Sequence, residues 1–222
     1  MKNRLLTIYH RLLNAYGGQS WWPGESPFEV IVGAILAQKV AWSNAEKAIV
    51  ALRESGLLTP AQLAQTPLEE IAALIRPCLY YNEKAKKLKA FLRFLKERYS
   101  YNLCALFSVD MPYLRQELLS VWGIGEETAD AIILYAAKKP SFVVDTYARR
   151  ILSRVGMIDE KASYADIRNW VMNSLPDNVA LFNEYHALLV RHGKERCRSR
   201  NPVCRGCPLF ASCAASAGVI PP

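Results

Sequence analysis

The sequence predicts an all-α protein of roughly ten helices. Three observations lead there. Polar start signals, several marked by proline, recur ahead of apolar stretches; apolar residues behind them return every three or four positions; and no hairpin turn or repeat of fixed period is present. Leu5, Ile8, Leu12 and Leu13 give the first helix its apolar face. Gly17-Gly18 and Trp22-Pro23-Gly24 break the chain after it. Ser26-Pro27-Phe28-Glu29 opens the next helix with a capping Ser, a Pro at the first helical position and a Glu three residues after the Ser. Ser43-Asn44-Ala45-Glu46 and Thr66-Pro67-Leu68-Glu69 repeat that capping box, and Thr59-Pro60 opens a short helix between them. Leu88, Phe91, Leu92 and Leu95 form a further helix face, as do Ile132, Ile133 and Tyr135. The strand-like run Ser141 to Val144 is too short for a sheet. Lys138-Lys139-Pro140 is a second break. It divides a central helical domain, residues 26–137, from a second lobe made of residues 1–25 and 138–222.

The 222 residues suffice for one or two domains with a sizeable core. Hydrophobic residues at 51% and charged residues at 22% exclude a disordered chain. Lys and Arg number 28 against 20 Asp and Glu, a net charge of +8, which hints at an anionic partner. The longest apolar runs, such as Val30 to Ala37, are too short to span a bilayer, so no membrane partner is expected. Met1-Lys2-Asn3-Arg4 leads into an amphipathic stretch rather than a secretory leader, so the expected location is cytoplasmic, nucleoid-associated in a prokaryote. Cys78 and Cys104 sit alone in apolar segments and read as core. Cys197, Cys204, Cys207 and Cys213 crowd one end as C-x6-C-x2-C-x5-C. Clustered thiols in a reduced compartment bind metal. Four thiolates suit tetrahedral zinc or a [4Fe–4S] cube. The outer gaps of six and five suit a loop around something larger than one ion; zinc stays open on the residues alone.

The most informative stretch is Leu118 to Arg150. Val121-Trp122-Gly123-Ile124-Gly125 ends one apolar helix and precedes another, and the two glycines permit a tight turn with amides exposed beside a helix N-terminus, a site for a phosphate. Val143-Val144-Asp145-Thr146 follows, with Asp145 opening a cationic helix either as an N-cap alone or as a working carboxylate. These motifs, in the order L-x-x-V-W-G-I-G-x-x-T-A-D-A-I, V-V-D-T and H-G-K-x-x-C with its cysteine loop, resemble the endonuclease III branch of the helix-hairpin-helix DNA glycosylases. Pro27-Phe28-Glu29 through Gln38 and Leu79-Tyr80-Tyr81-Asn82-Glu83-Lys84-Ala85 extend the resemblance over nearly the whole chain.

The resemblance implies a two-lobed helix-hairpin-helix fold with a C-terminal [4Fe–4S] loop held by the four cysteines. It implies a monomer whose partner is double-stranded DNA containing a damaged base. By the same resemblance the hairpin at Gly123, Ile124, Gly125 and Thr128 grips the backbone, Gln38 fills the gap left by the extruded base beside Lys39, and Arg149, Arg198 and Arg200 meet phosphate. Asp145 is then the catalytic carboxylate. Family members that also cut the strand carry a Lys four residues after the first hairpin glycine, where this sequence has Glu127. A carboxylate cannot form a Schiff base, so a monofunctional glycosylase is expected, with Asp145 assisting water.

Trp21, Trp22, Pro23 and Trp42 are either a hydrophobic plug or a stacking pocket for a flat, cationic base. W-W-P and G-I-G-x-E-(S/T)-A-D-A-I also resemble the related 3-methyladenine glycosylases, in which the H-G-K stretch lies near the pocket. Glu127 and Lys194 therefore join the pocket candidates, and an alkylated purine such as 3-methyladenine is the expected substrate. Two alternatives remain: a bifunctional glycosylase/lyase on oxidised or mismatched bases, with Lys39 or Lys194 as the amine, and a DNA-binding module without catalysis. His186 and His192 read as packing or polar contacts.

Overall fold

The structure, a computed structural model, describes residues 2–22 and 24–216. Among them lie twelve α-helices and no strand. In chain order they are α1 (Lys2–Tyr16), α2 (Pro27–Leu36), α3 (Trp42–Glu54), α4 (Pro60–Gln65), α5 (Leu68–Leu74), α6 (Tyr81–Tyr99), α7 (Leu103–Ser108), α8 (Met111–Ser120), α9 (Glu126–Ala131), α10 (Thr146–Arg154), α11 (Tyr164–Ser174) and α12 (Val179–Glu195). A π-helical turn, Ile132–Ala136, continues α9, and two 3-10 turns, Phe210–Ser212 and Ala214–Ser216, follow the cysteine segment. None of these helices is long and apolar enough to cross a membrane. The helices form two compact units. One is continuous, from Trp22 to Lys139; the other joins the two ends of the chain, up to Trp21 and from Pro140 onward.

In the continuous unit α2 is the centre. Apart from Pro27 at its start every residue is buried, and it packs on α3, α6 and the π-helical turn. Ser26 caps it by accepting from Glu29 N at 3.2 Å. The Glu29 carboxylate does not close the box: it is buried and takes the Arg53 guanidinium at 2.6 Å. Thr59 caps α4 as expected. Two other expected caps are not formed. α3 starts one residue before Ser43, at Trp42 behind an uncapped Ala41. Thr66 Oγ1 donates back to Gln62 O at 2.9 Å, so it serves the end of α4 and not the start of α5. Helix α6 satisfies other carbonyls: Lys84 Nζ donates to Leu36 O at 2.9 Å, and Lys89 Nζ donates to Ala64 O at 2.7 Å and to Leu63 O at 3.2 Å. Burial pushes the Lys84 ammonium below its ordinary pKa. Cys78 is buried as expected; Cys104 is exposed, because α7 is a short surface helix that buries Leu106 instead.

Helices α8 and α9 are held together by charge. Arg115 Nε donates to Asp130 Oδ1 at 3.1 Å, and its Nη2 donates to Asp130 Oδ2 and Glu126 Oε1, each at 3.2 Å. Asp130 is fully buried. Removing the partner of a buried carboxylate costs far more than the pair itself contributes. Arg115→Ala is therefore expected to lower stability by about 3–5 kcal/mol, read from urea unfolding. A loss under about 1 kcal/mol, the scale of a surface pair, would mean that this guanidinium does not hold the two helices.

In the unit made from both chain ends, α1 packs along α12, and α12 packs on α10. Leu5, Ile8 and Leu12 are buried as their spacing predicts, and Leu13 is half-buried. Tyr185 Oη donates to Leu5 O at 3.0 Å. Helices α10 and α12 approach closely because Gly193 has no side chain: a Cβ there would stand 2.9 Å from Tyr147 Cβ. Arg150 secures the same crossing by donating to Cys197 O at 2.8 Å and Gly193 O at 3.1 Å.

Candidate functional site

In the continuous unit the hairpin joins α8 to α9 through Val121–Gly125. Gly123 has φ +87°, a left-handed conformation that favours glycine, and a Cβ there would lie 2.8 Å from Lys87 Cδ. Gly125 is the extended N-cap of α9, and nothing lies within 4 Å of where its Cβ would be. Ile124 is buried and its N–H donates to Val121 O at 3.1 Å, so the middle residue fixes the turn while the glycines carry its open edge. Gln38 Nε2 donates to Gly123 O and to Thr128 Oγ1, both at 3.0 Å, and Lys87 Nζ donates to Gln38 Oε1. The turn is thus braced from behind by Gln38 and Lys87. Lys87 was invisible as a site residue in the sequence, being one of several lysines on α6. Lys39 is exposed with φ +57°, and Glu127 is exposed in the first turn of α9. Leu79 and Tyr80, 60% and 69% exposed, project from this unit, Tyr80 with φ +60°.

Of the pocket candidates, the structure brings Trp22 and Trp42 together. Their rings meet edge to face at 4.8 Å, and Trp22 lies 4.9 Å from Tyr135 of the π-helical turn. Both tryptophans rest on Gly33 of α2, where a Cβ would be 3.4 Å from each. Tyr135 was expected only as a helix face. Trp21 and Lys194 belong to the other unit, Lys194 exposed on α12, and Pro23 lies outside the described residues.

In the unit built from both ends, Asp145 is the N-cap of α10. Its Oδ1 accepts from Ala148 N at 2.7 Å. Its Oδ2 lies 3.6 Å from Nε2 of the buried His186 on α12, and the carboxylate keeps 14% exposure. Val144 N donates to Tyr164 Oη at 3.4 Å, fixing the approach to the carboxylate. One oxygen is therefore held by the helix, and the other faces an imidazole that can orient it. His186 stands 41 residues away in sequence, and only its place on an apolar face of α12 hinted at burial. Arg149 donates to the carbonyls of Ala162 and, at 3.5 Å, Glu160, while Arg198 and Arg200 are exposed.

The four clustered cysteines line one cavity of about 170 Å³ in this unit, together with Ile151, Val155 and Leu209. Burial, then the neighbouring thiols of Cys197, Cys213 and Cys204, push the Cys207 thiol up. Arg154 Nη1 approaches Cys197 Sγ at 3.4 Å. Among the described residues no three His, Cys, Asp or Glu side chains gather closely enough to hold a single metal ion.

Comparison with known proteins agrees with this layout. The family described as "HhH-GPD superfamily base excision DNA repair protein" matches residues 32–177. A protein of Methanocaldococcus jannaschii, provisionally named a DNA repair glycosylase, is 44% identical over 207 residues, covering 93% of this chain and 94% of its own. Endonuclease III of Sulfolobus acidocaldarius is 29% identical, covering 84% and 81%. The fold matches an endonuclease III solved in a non-covalent complex with DNA, at a TM-score of 0.84 and 22% identity over 98% of this chain and 97% of that one.

Proposed function

The chain belongs to the HhH-GPD superfamily of base excision DNA repair proteins, and from that premise we propose a monofunctional DNA glycosylase that uses Asp145 to release an alkylated purine such as 3-methyladenine. Two separate positions carry the mechanism, Asp145 in the unit built from both chain ends and Glu127 in the continuous unit. A partly exposed carboxylate caps α10, and a second carboxylate occupies the hairpin position where a strand-cutting relative would have an amine.

Breaking the N-glycosidic bond builds positive charge on the sugar. A fixed carboxylate stabilises that charge and orients or deprotonates the attacking water. Asp145 suits both tasks: Ala148 N–H fixes Oδ1, and Oδ2 keeps partial exposure beside the His186 imidazole at 3.6 Å. The base must first leave the stack at a cost of a few kcal/mol, least for a damaged base. Open amides at Gly123 and Gly125 would hold the backbone meanwhile, braced by Gln38. A purine alkylated at N3 or N7 is flat and cationic. Half-buried Trp22 and Trp42 offer ring faces and edges to such a base, with the buried Tyr135 backing Trp22, and its weakened bond needs no strong general acid.

The cysteine cavity suits a [4Fe–4S] cluster, because four thiols spaced C-x6-C-x2-C-x5-C line one cavity of about 170 Å³. Cys197, Cys204, Cys207 and Cys213 would hold it. When bound, such a group supplies a structural cross-link for the loop bearing Arg198 and Arg200. We place the protein in the cytoplasm, acting as a monomer on damaged duplex DNA.

Release of free bases from methylated, deaminated and oxidised duplexes tests the substrate. Methylated DNA is expected to yield 3-methyladenine fastest; faster release from oxidised or mismatched DNA overturns that assignment. Borohydride on abasic duplex is expected to leave no covalent adduct, and a strong adduct overturns the monofunctional reading.

A further inference from the structure

His192, just before the cysteine segment, is the least exposed polar side chain in this region, at 1%, and the mechanism above makes no use of it. Three of its polar contacts lead toward the cysteines or the first helix. The carbonyl of His192 accepts from Cys197 N at 2.8 Å. Ring Nε2 lies 3.8 Å from Cys207 Sγ, and ring Nδ1 lies 2.8 Å from Tyr16 Oη at the end of α1. Tyr16 is itself held from outside, because Arg191 stacks on its ring at 5.0 Å and donates to its carbonyl at 2.9 Å.

These contacts fix the tautomer. A ligating thiolate can only accept, so the ring nitrogen facing Cys207 must carry hydrogen. A buried neutral imidazole has one N–H, so Nδ1 is an acceptor and the Tyr16 hydroxyl donates to it. We propose that Tyr16 and His192 form a relay that presents an N–H to the Cys207 thiolate, making His192 the positioning residue for the iron–sulfur group that the four cysteines are read to hold. The inference rests on that cofactor reading. Partners of this kind orient ligands and tune them, and their loss typically costs 10–100-fold in metal affinity.

The test uses the full chain purified with its cluster, comparing wild type with His192→Phe and Tyr16→Phe. Tyr16→Phe keeps the ring and lies at the half-buried end of α1, so it decides the matter if His192→Phe fails to fold. Two readouts are taken: the rate of cluster bleaching under a chelator, and the cysteine–iron stretching bands by resonance Raman in H₂O and D₂O. The expected result is bleaching roughly tenfold faster in His192→Phe, a smaller change of the same sign in Tyr16→Phe, and loss of a D₂O shift present in wild type. A purely packing role would leave the D₂O shift intact in Tyr16→Phe, and that result overturns the relay. Wild type purifying without an iron–sulfur chromophore overturns the cofactor reading and the relay with it. A wild-type chromophore with unchanged variants overturns the relay alone.

Discussion

Asp145→Asn is expected to slow base release by about 10²- to 10⁴-fold under single-turnover conditions, with no comparable loss of stability. The separation follows from what the side chain does locally. As an N-cap, Asp145 needs one oxygen to accept from Ala148 N, and Asn caps a helix about as well as Asp does. The substitution therefore leaves α10 capped while removing the negative charge from the sugar. With its oxygen kept on Ala148 N, the Asn amide puts an NH2 donor where Oδ2 faced His186. Release at the wild-type rate would remove Asp145 from the chemistry. A collapse of the melting temperature would instead show that its main service is to the fold. His186→Phe sharpens the comparison: Asp145 keeps its cap and charge but loses the imidazole 3.6 Å from Oδ2, so a smaller rate loss is expected.

Gly123→Ala should have the second largest effect, and it acts on affinity. The residue has φ +87°, which costs any side-chain-bearing residue on the order of 1–3 kcal/mol. The new methyl would also collide with the Lys87 stem. Lys87 holds Gln38, and Gln38 holds the Gly123 carbonyl, so displacing the stem loosens both supports of the turn. If the hairpin amides donate to a phosphate, losing one such charged hydrogen bond, worth about 1.5–3 kcal/mol, weakens duplex binding roughly 10- to 100-fold. Fluorescence anisotropy on abasic duplex reads this directly. Unchanged affinity would mean that the backbone is gripped elsewhere. At Gly125 a Cβ meets open space and φ is −95°, so alanine there should be tolerated by the fold.

The helices were largely legible because their signals are local. Ser26 and Thr59 each cap a helix whose first residue is proline, and that pairing fixes the first turn without help from the rest of the chain. Ser43 carried a similar polar signal but no proline. There α3 begins at Trp42, whose ring packs against Trp22 and Gly33, so tertiary contact set the boundary. Thr66 misled for a related reason, since its hydroxyl found a carbonyl behind it before an amide ahead of it. Within the candidate site, residue types were readable and pairings were not. Asp145, Gly123 and the four cysteines announce themselves by motif. The 3.6 Å approach of His186 to Asp145 and the hydrogen bonds of Lys87 to Gln38 and Tyr16 to His192 join residues from distant segments, and no short-range pattern encodes them.

The split origin of one unit has a consequence for biosynthesis. Residues 22–139 are contiguous, so that unit has its whole sequence available before residues 140–222 are made. Helix α1 is made first, yet its partner α12 starts at Val179. At about 5–20 residues per second the ribosome needs roughly 10–30 s to supply it. During that interval Leu5, Ile8 and Leu12, all buried in the finished protein, have nothing permanent to cover them. The nascent chain thus carries an uncovered apolar helix ahead of a unit whose sequence is already complete, which makes helix α1 the place where chaperone capture or premature aggregation would begin.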